Sequence, residues 1–441
     1  MTSPHRAEAP YPLFLLAAMA FGTLGGFTLA VSLPIEAALG MLDLGWVSHA
    51  QMHGHLQVVG FAGLFVIGMA LHLAPRFGSG SLAHPALVRP LLVLLVGGLL
   101  ARALGQPLAE HPPFAALMAA GALAEAIGGL LFAVIIATTL GPALRARAPH
   151  AVLLAGGGVW FFVQAAIGAW WLSELALDGG IVLVSTRNAV LVNLQFFGFL
   201  LAAILGVGMR TFPTFFGMPP TPPRAAGGVA VLLHLGVGLW TAGGVAEVER
   251  VTLAGQATVG IAILAAVATF GFWRRTYRFA PASRGYIWAL QPALAWLALT
   301  GASLLATALL ALAEGRPVTV GTLDAVRHLF AVGVVTLLIV GMGQLILPEF
   351  ASERLVAKPW HWRGAAFGAA LTTAAVLRGI LPWAGLATPA RFWAMSVGGV
   401  IGLGTVAAFA FLYLRAQRRH RAYMAKIAAL RSREIPLNTL E

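Results

Sequence analysis

The chain has 441 residues, a mean hydropathy of +0.87, and 59% hydrophobic residues against only 10% charged ones. A soluble domain of this length cannot bury so large an apolar fraction, so a soluble fold is excluded and lipid is the expected solvent. The net charge of +13 has a topological explanation, given below, so nucleic acid is not an expected partner. The chain has no cysteine, which excludes disulfides, iron–sulfur clusters, zinc–thiolate sites and haem attached through Cys-x-x-Cys-His.

Apolar runs of about 20 residues, each long enough to cross a bilayer of roughly 30 Å, follow one another along the whole chain. The first is too long for a signal-peptide core and lacks a clear small-residue cleavage site, so it is also predicted to be a helix. The sequence therefore predicts an all-α integral membrane protein with twelve transmembrane helices. The runs lie near 11–33, 49–74, 86–105, 114–140, 150–174, 188–214, 225–245, 251–273, 286–313, 323–347, 364–386 and 392–414.

The basic residues indicate the orientation. Most of the 28 Lys and Arg residues lie before the first run, in loops after even-numbered runs, or in the C-terminal tail 415–441. Because basic loops stay in the cytoplasm, both termini are predicted to be cytoplasmic. We interpret the cluster at 274–284 and the tail as topology signals and contacts with lipid headgroups. The strong excess of Arg over Lys is typical of GC-rich bacterial genomes and favours a bacterial inner membrane.

Three stretches of the chain are similar to one another. They read HLQVVGFAGLFVIGMALHLAPRF from His55, NLQFFGFLLAAILGVGMRTFPTF from Asn193 and HLFAVGVVTLLIVGMGQLILPEF from His328. Each has Leu at +1, Gly at +5 and +13, Pro at +20 and Phe at +22, which indicates one structural unit used three times. We predict four-helix repeats at 1–148, 149–285 and 286–414, with three-fold pseudosymmetry about the membrane normal. The glycines permit close helix contact or the approach of a flat ligand.

His55 and His328 are predicted to lie at matching depth in the outer part of the membrane. Ionisable groups in lipid are costly and usually face a protein interior or cavity. One interpretation is that the two imidazoles are axial ligands of one haem. The other is that they hydrogen-bond helices together. We favour haem ligation because both residues occupy the same repeated position.

The motif around His53 offers a second possible site. His49 and His53 are four residues apart and share a helix face, so they could hold one metal ion. His53 and His55 lie about 200° apart around a helix and point to opposite sides. Copper or a second haem at His53, with His49, is one interpretation, and a wet surface histidine is the other. His234, in the seventh run, could face a central cofactor or serve as a hydrogen-bonded helix residue.

Charged residues inside the predicted spans have functional and structural interpretations. Glu125 is the only carboxylate in the middle of a run, and it could relay protons or pair with an arginine or a ligand histidine. Arg327 could reach haem propionates, because a guanidinium suits carboxylates, or it could pair with Asp324. Arginines are scarce on the predicted outer side. Those near helix ends on that side are Arg102, Arg187, Arg327 and Arg378.

Twelve helices in three arcs, with matched histidines on the second and tenth, resemble subunit I of the haem–copper oxidases. This resemblance implies that His55 and His328 hold a low-spin haem. The oxidase pattern also needs a histidine on helix six and a histidine pair on helix seven to bind copper. Here those helices offer Asn193 and His234, so the oxygen-reducing binuclear centre is expected to be absent.

The sequence is more similar to the NnrS family of bacterial membrane proteins, which are associated with haem, copper and the response to nitric oxide. The resemblance depends on His53-Gly54-His55 followed by Gly60-Phe61, and on His328-Leu329 followed by Gly333. Leu56 and Gln57 depart from the Glu-Met that often follows the second histidine. The resemblance implies a non-covalent b-type haem and copper as cofactors.

Three functions are therefore considered. The first is a haem-binding NnrS-type protein that handles or resists nitric oxide or moves electrons in the membrane. The second is a nitric oxide or quinol-linked reductase, an oxidoreductase related to the haem–copper oxidases. The third is a cofactor-free transporter or assembly factor. Lipid is an expected partner of all three, and nitric oxide or a quinol of the first two.

Overall fold

The computed structural model describes residues 11–78, 80–271, 287–346, 361–385 and 387–431. Within these ranges the regular structure is entirely helical, and twelve helices are long and apolar enough to cross a membrane. The predicted all-α class and the twelve predicted spans are confirmed. The predicted arginine cluster at 274–284 and the third repeated proline, Pro348, lie outside the described residues. We number the spans α1 to α12: Tyr11–Ala38, Leu44–Gly78, Pro85–Leu108, Pro112–Thr139, Pro149–Leu177, Ser185–Phe216, Pro223–Val245, Glu249–Phe270, Ile287–Glu314, Val320–Gln344, Gly364–Trp383 and Thr388–Lys426.

The helices that carry the histidines begin earlier than the apolar runs indicate. The Asp43 side chain accepts a hydrogen bond of 2.7 Å from the Trp46 amide and caps the start of α2. Thr319 caps α10 in the same way, accepting from the Thr322 amide at 3.2 Å. The polar residues that precede each apolar run are therefore helical, and their side chains have fixed directions. At the other end of the chain, the helix that contains α12 continues to Arg431, beyond the predicted end of the span at 414.

The three helices that carry the repeated sequence form the centre of the bundle. In α2, α6 and α10, 83% of the most apolar window is buried inside the protein, against 33% to 56% in the other spans. The helices around these three contact one another in chain order, and α12 packs against α1. Because α2, α6 and α10 are surrounded by protein rather than lipid, polar residues at their ends can face a protein cavity.

Each central helix widens into a π-helix shortly after the repeated lead position. These segments are Leu56–Gly63 in α2, Leu194–Leu200 in α6 and Ala331–Thr336 in α10. Two more lie in neighbouring helices, at Phe21–Gly26 in α1 and Val376–Ile380 in α11. Such π-turns are rare and occur frequently at functional sites. The sequence analysis did not predict them.

The repeated glycine at +5 has the same packing role in all three copies. In each case it lies against an aromatic side chain of the preceding helix, so the helix pair packs more closely than a larger residue would permit. A Cβ atom would lie 3.0 Å from Phe21 Cβ at Gly60, 2.9 Å from Trp160 Cβ at Gly198, and 2.6 Å from Trp296 Cγ at Gly333. Of the two predicted uses of these glycines, the structure therefore supports close helix contact.

We expect Gly198→Leu to destabilise the protein by about 1–3 kcal/mol, because overpacking forces α5 and α6 apart. Gly97→Leu is the matched control, since nothing lies within 4 Å of a Cβ atom at that position. The measurement is the midpoint of thermal unfolding in detergent, followed by size-exclusion chromatography. An equal midpoint for the two variants would contradict the packing role of the repeated glycine.

Candidate functional site

A large cavity lies at the end of the bundle where α2, α6 and α10 begin. Its volume is about 1190 Å³, above the roughly 300–1,000 Å³ of most small-molecule sites. Residues of α1, α2, α6, α7, α8, α10, α11 and α12 contribute to its wall, together with the segment 182–184 between α5 and α6. His53, Asn193, Arg327, His328 and Arg378 line it. The cavity thus collects polar residues from both ends of the sequence.

His53 and His328 face each other across this cavity. Their ring centroids are 6.5 Å apart, and their planes are within 8° of parallel. Two imidazoles on opposite sides of one metal ion have centroids roughly 6 Å apart, because each metal–nitrogen bond is about 2 Å long. The centroid separation of this histidine pair, His53 and His328, whose rings are stacked, is close to that distance.

The main chain fixes the orientation of both rings. His53 Nδ1 lies 2.8 Å from the carbonyl oxygen of Gly26, and His328 Nδ1 lies 2.8 Å from that of Asp324. Because a carbonyl oxygen only accepts hydrogen bonds, each Nδ1 must carry the proton, and Nε2 of a neutral ring then holds the lone pair. Metal-binding histidines typically donate their other ring nitrogen to a carbonyl or carboxylate in this way.

Arg378 already contacts the free nitrogen of His328. Its Nη2 lies 2.6 Å from His328 Nε2 and donates to it. Arg378 belongs to the π-helical segment of α11 and is only 8% exposed. The sequence predicts Arg378 near the outer end of a helix, but no sequence pattern indicates its contact with His328. In this structure the guanidinium occupies the lone pair that a metal would use.

Asn193, the middle member of the repeated lead positions, holds Arg327. Its Oδ1 accepts from Arg327 Nη2 at 2.8 Å and from Nε at 3.2 Å. Arg327 Nη2 also donates to the Ala189 carbonyl oxygen at 3.3 Å. The predicted alternative partner, Asp324, instead lies with its Oδ2 3.4 Å from His328 Nδ1. Asn193 thus stands where the other two copies have a histidine, and it orients Arg327, the residue directly before His328.

Arg327 and Arg378 are buried cations that share one counter-charge, the Asp324 carboxylate. Among the residues that the structure describes, no carboxylate oxygen lies within 4.0 Å of either guanidinium. A buried charge inside a membrane protein is costly unless a counter-charge or polar groups compensate it. Both side chains line the cavity. This arrangement favours an anionic ligand.

His55 points to the opposite side of α2 and is engaged at both ring nitrogens. Nε2 lies 2.9 Å from both carboxylate oxygens of Glu125, and Nδ1 lies 3.1 Å from Arg102 Nη1. All three side chains are 5% exposed or less. Ligation of a metal by His55 stays a prediction, and it would require one of these hydrogen bonds to break. Of the interpretations of Glu125, the structure supports pairing with a histidine and an arginine.

The polar network continues from Arg102 to the cavity wall. Arg102 Nε donates to Gln106 Oε1 at 3.1 Å, and Gln106 Nε2 donates to Gln51 Oε1 at 3.0 Å. Gln51 then holds the main chain of Leu183, donating to its carbonyl at 2.7 Å and accepting from its amide at 3.1 Å. The network therefore fixes the segment between α5 and α6. The sequence feature that indicates this network is the spacing of four residues between Gln51 and His55.

Two further predicted histidines do not line the cavity. His49 is exposed on the surface of α2. His234 accepts a hydrogen bond of 3.0 Å from Trp160 Nε1, as a hydrogen-bonded helix residue would. No group of three or more His, Asp or Glu side chains that could hold a metal ion occurs in the part of the chain that the structure describes. A metal at the histidine pair would need additional ligands from a cofactor or solvent.

No protein-family model matches this chain, and no curated protein matches it either.

Proposed function

We propose that the chain is a haem-binding membrane protein in which His53 and His328 would hold a non-covalent b-type haem. The observation that carries this proposal is the parallel histidine pair, with each Nδ1 donating to a main-chain carbonyl. Because a haem brings ligands of its own, His53 and His328 could hold it without a third protein ligand. The cavity beside the pair is large enough for a ligand of this size class.

The chain's own residues would bind and orient the cofactor. Asn193 holds Arg327 beside His328, where its guanidinium suits a propionate carboxylate. Leu29, Leu33 and Trp46 supply apolar walls to the same cavity and would exclude water from the ring. A haem held by His53 and His328 would supply one-electron transfer.

The proposal includes the NnrS-type role in nitric oxide handling or membrane electron transfer, and a bacterial inner membrane location with both termini in the cytoplasm. It also includes three four-helix repeats with three-fold pseudosymmetry. Support for the repeats comes from the π-helical segments and from the glycine–aromatic contacts, which recur at matching positions of the three sequence copies. On this arrangement the cavity opens at the outer face.

The alternatives have less support from the site. A reductase of the oxidase type needs a second metal near the haem, and Asn193, at the repeated position on α6, already holds Arg327. Copper between His53 and His328 would suit their spacing but would add positive charge beside two buried arginines. A cofactor-free transporter of anions would use those arginines. It would not explain why main-chain carbonyl oxygens orient both rings of the histidine pair.

Titration of the purified protein with ferric haem in mild detergent tests the proposal. We expect saturation near a single haem per chain, with the absorption spectrum of low-spin iron that is ligated by two imidazoles. Detergent micelles without protein provide the reference spectrum. If the protein leaves this reference spectrum unchanged, the proposed function is wrong.

A further inference from the structure

We propose that Arg378 occupies the metal-binding nitrogen of His328 until a ligand displaces it. Arg378 thereby makes the site selective for a metal complex that carries its own carboxylates. This inference rests on the proposed function and names the chemical class of the ligand. Arg378 is then a specificity-determining residue, and the expected ligand is a metalloporphyrin with free carboxylate groups rather than a bare metal ion.

The hydrogen bonds around His328 carry the first step. Nδ1 donates to the Asp324 carbonyl oxygen, so Nε2 is the only ring nitrogen with a lone pair. That lone pair accepts from Arg378 Nη2 at 2.6 Å. A metal can bind His328 at Nε2 only after the guanidinium has moved away. Ligand binding and displacement of Arg378 are therefore coupled.

The displaced guanidinium needs a new partner. Arg378 is buried, and its hydrogen bond among the residues that the structure describes is the one to His328 Nε2. The Asp324 carboxylate interacts electrostatically with Arg378, but it is shared with Arg327, and its Oδ2 lies 3.4 Å from His328 Nδ1. Breaking a buried pair without replacing the partner is strongly unfavourable. Because one shared carboxylate cannot compensate both guanidiniums, a ligand that displaces Arg378 is expected to bring its own carboxylates.

This requirement separates two classes of ligand. A bare cation at the histidine pair would displace Arg378 and add positive charge beside both Arg378 and Arg327. A porphyrin with carboxylates would instead bring negative charge into the cavity with its metal. Arginine pairs with carboxylates through two parallel hydrogen bonds, which gives the exchange a defined geometry.

Iron protoporphyrin IX and its dimethyl ester test the inference, because they share the metal and the ring and differ in the charge of the two carboxyl groups. We expect the wild-type protein to bind the free acid roughly tenfold or more tightly than the diester, as hydrogen bonds to charged groups indicate. The readout is the dissociation constant from the low-spin absorption spectrum, with detergent micelles alone as the partition control.

Variants locate the selectivity at Arg378. In Arg378→Leu the preference for the free acid should fall several-fold, and binding of Cu⁺ alone should strengthen relative to wild type. Arg391→Leu is the matched control: it removes one positive charge from the same cavity, and its guanidinium lies over Phe392. We expect this control to keep the wild-type preference.

The outcomes distinguish this inference from the proposed function. If the wild-type protein binds both porphyrins equally well, the inference is overturned and the proposed haem site stands. If it binds neither, the proposed function fails and the inference fails with it. Equal loss of preference in Arg391→Leu and Arg378→Leu would also overturn the inference, because total charge would then explain the selectivity.

Discussion

Replacing His53 with alanine is expected to abolish the low-spin spectrum of the haem-loaded protein. Loss of a ligand should weaken haem binding by more than the roughly 10- to 100-fold that loss of a supporting hydrogen bond costs. His53 shares the cavity with His328, whereas His49, His55 and His72 of α2 do not line it, so no other histidine of α2 is placed to replace His53. The measurement is the dissociation constant for ferric haem, together with the absorption spectrum at saturation.

Two histidines on the same helix serve as controls for this prediction. His49→Ala removes an exposed ring one turn earlier and should leave both readings unchanged. His55→Ala removes a ring that is bound to Glu125 and Arg102, so it should lower stability while keeping the low-spin spectrum. Loss of the spectrum in His55→Ala, but not in His53→Ala, would contradict our assignment.

Replacing Glu125 with alanine should lower the free energy of unfolding by about 3–5 kcal/mol. The change removes the negative charge from a buried network and leaves His55 Nε2 without its acceptor and Arg102 without compensation. The two side chains of the His55–Glu125 pair are only 3% and 4% exposed. The measurement is the unfolding curve in mixed micelles during titration with sodium dodecyl sulfate.

Glu174→Ala is the matched control for the buried pair. Glu174 and Arg187 lie 2.7 Å apart, but their side chains are 40% and 41% exposed, so this ion pair contributes at most about 1 kcal/mol. If Glu125→Ala costs no more than Glu174→Ala, the network is not a structural element. It would then be free to serve as the proton relay considered from the sequence.

The sequence predicted the spans well because their signal is local. An apolar run of the right length needs no partner to be recognised, and the twelve runs are helices in the structure. The repeat also indicated the special helices, since α2, α6 and α10 are the most deeply buried. The starts of α2 and α10 were missed by several residues, because caps such as Asp43 lie within polar sequence.

The sequence could not identify which histidine of α2 faces α10. Helical geometry requires His53 and His55 to point in different directions, but it does not say which direction is inward. That choice depends on the rotation of α2 against its neighbours and on the contact of His53 with Gly26 of α1. The repeated position favoured His55, whose Nε2 in the structure contacts Glu125.

The arginine contacts were beyond sequence reasoning for a different reason. Asn193 lies in α6 and Arg327 lies in α10, so the two residues belong to separate repeats. Their contact depends on how these two helices pack against each other. Arg378 approaches His328 from α11, within a π-helical segment that shifts side-chain directions relative to a regular helix. Single-sequence patterns give depth in the membrane but not such pairings between helices.

Near-infrared magnetic circular dichroism of the ferric, haem-loaded protein tests the central claim most directly, because its charge-transfer band identifies the axial ligands. We expect the bis-histidine band in the wild-type protein, a shift to the histidine–methionine position in His53→Met, and no shift in His55→Met. A shift in His55→Met with an unchanged band in His53→Met would contradict the claim that His53 and His328 hold the haem.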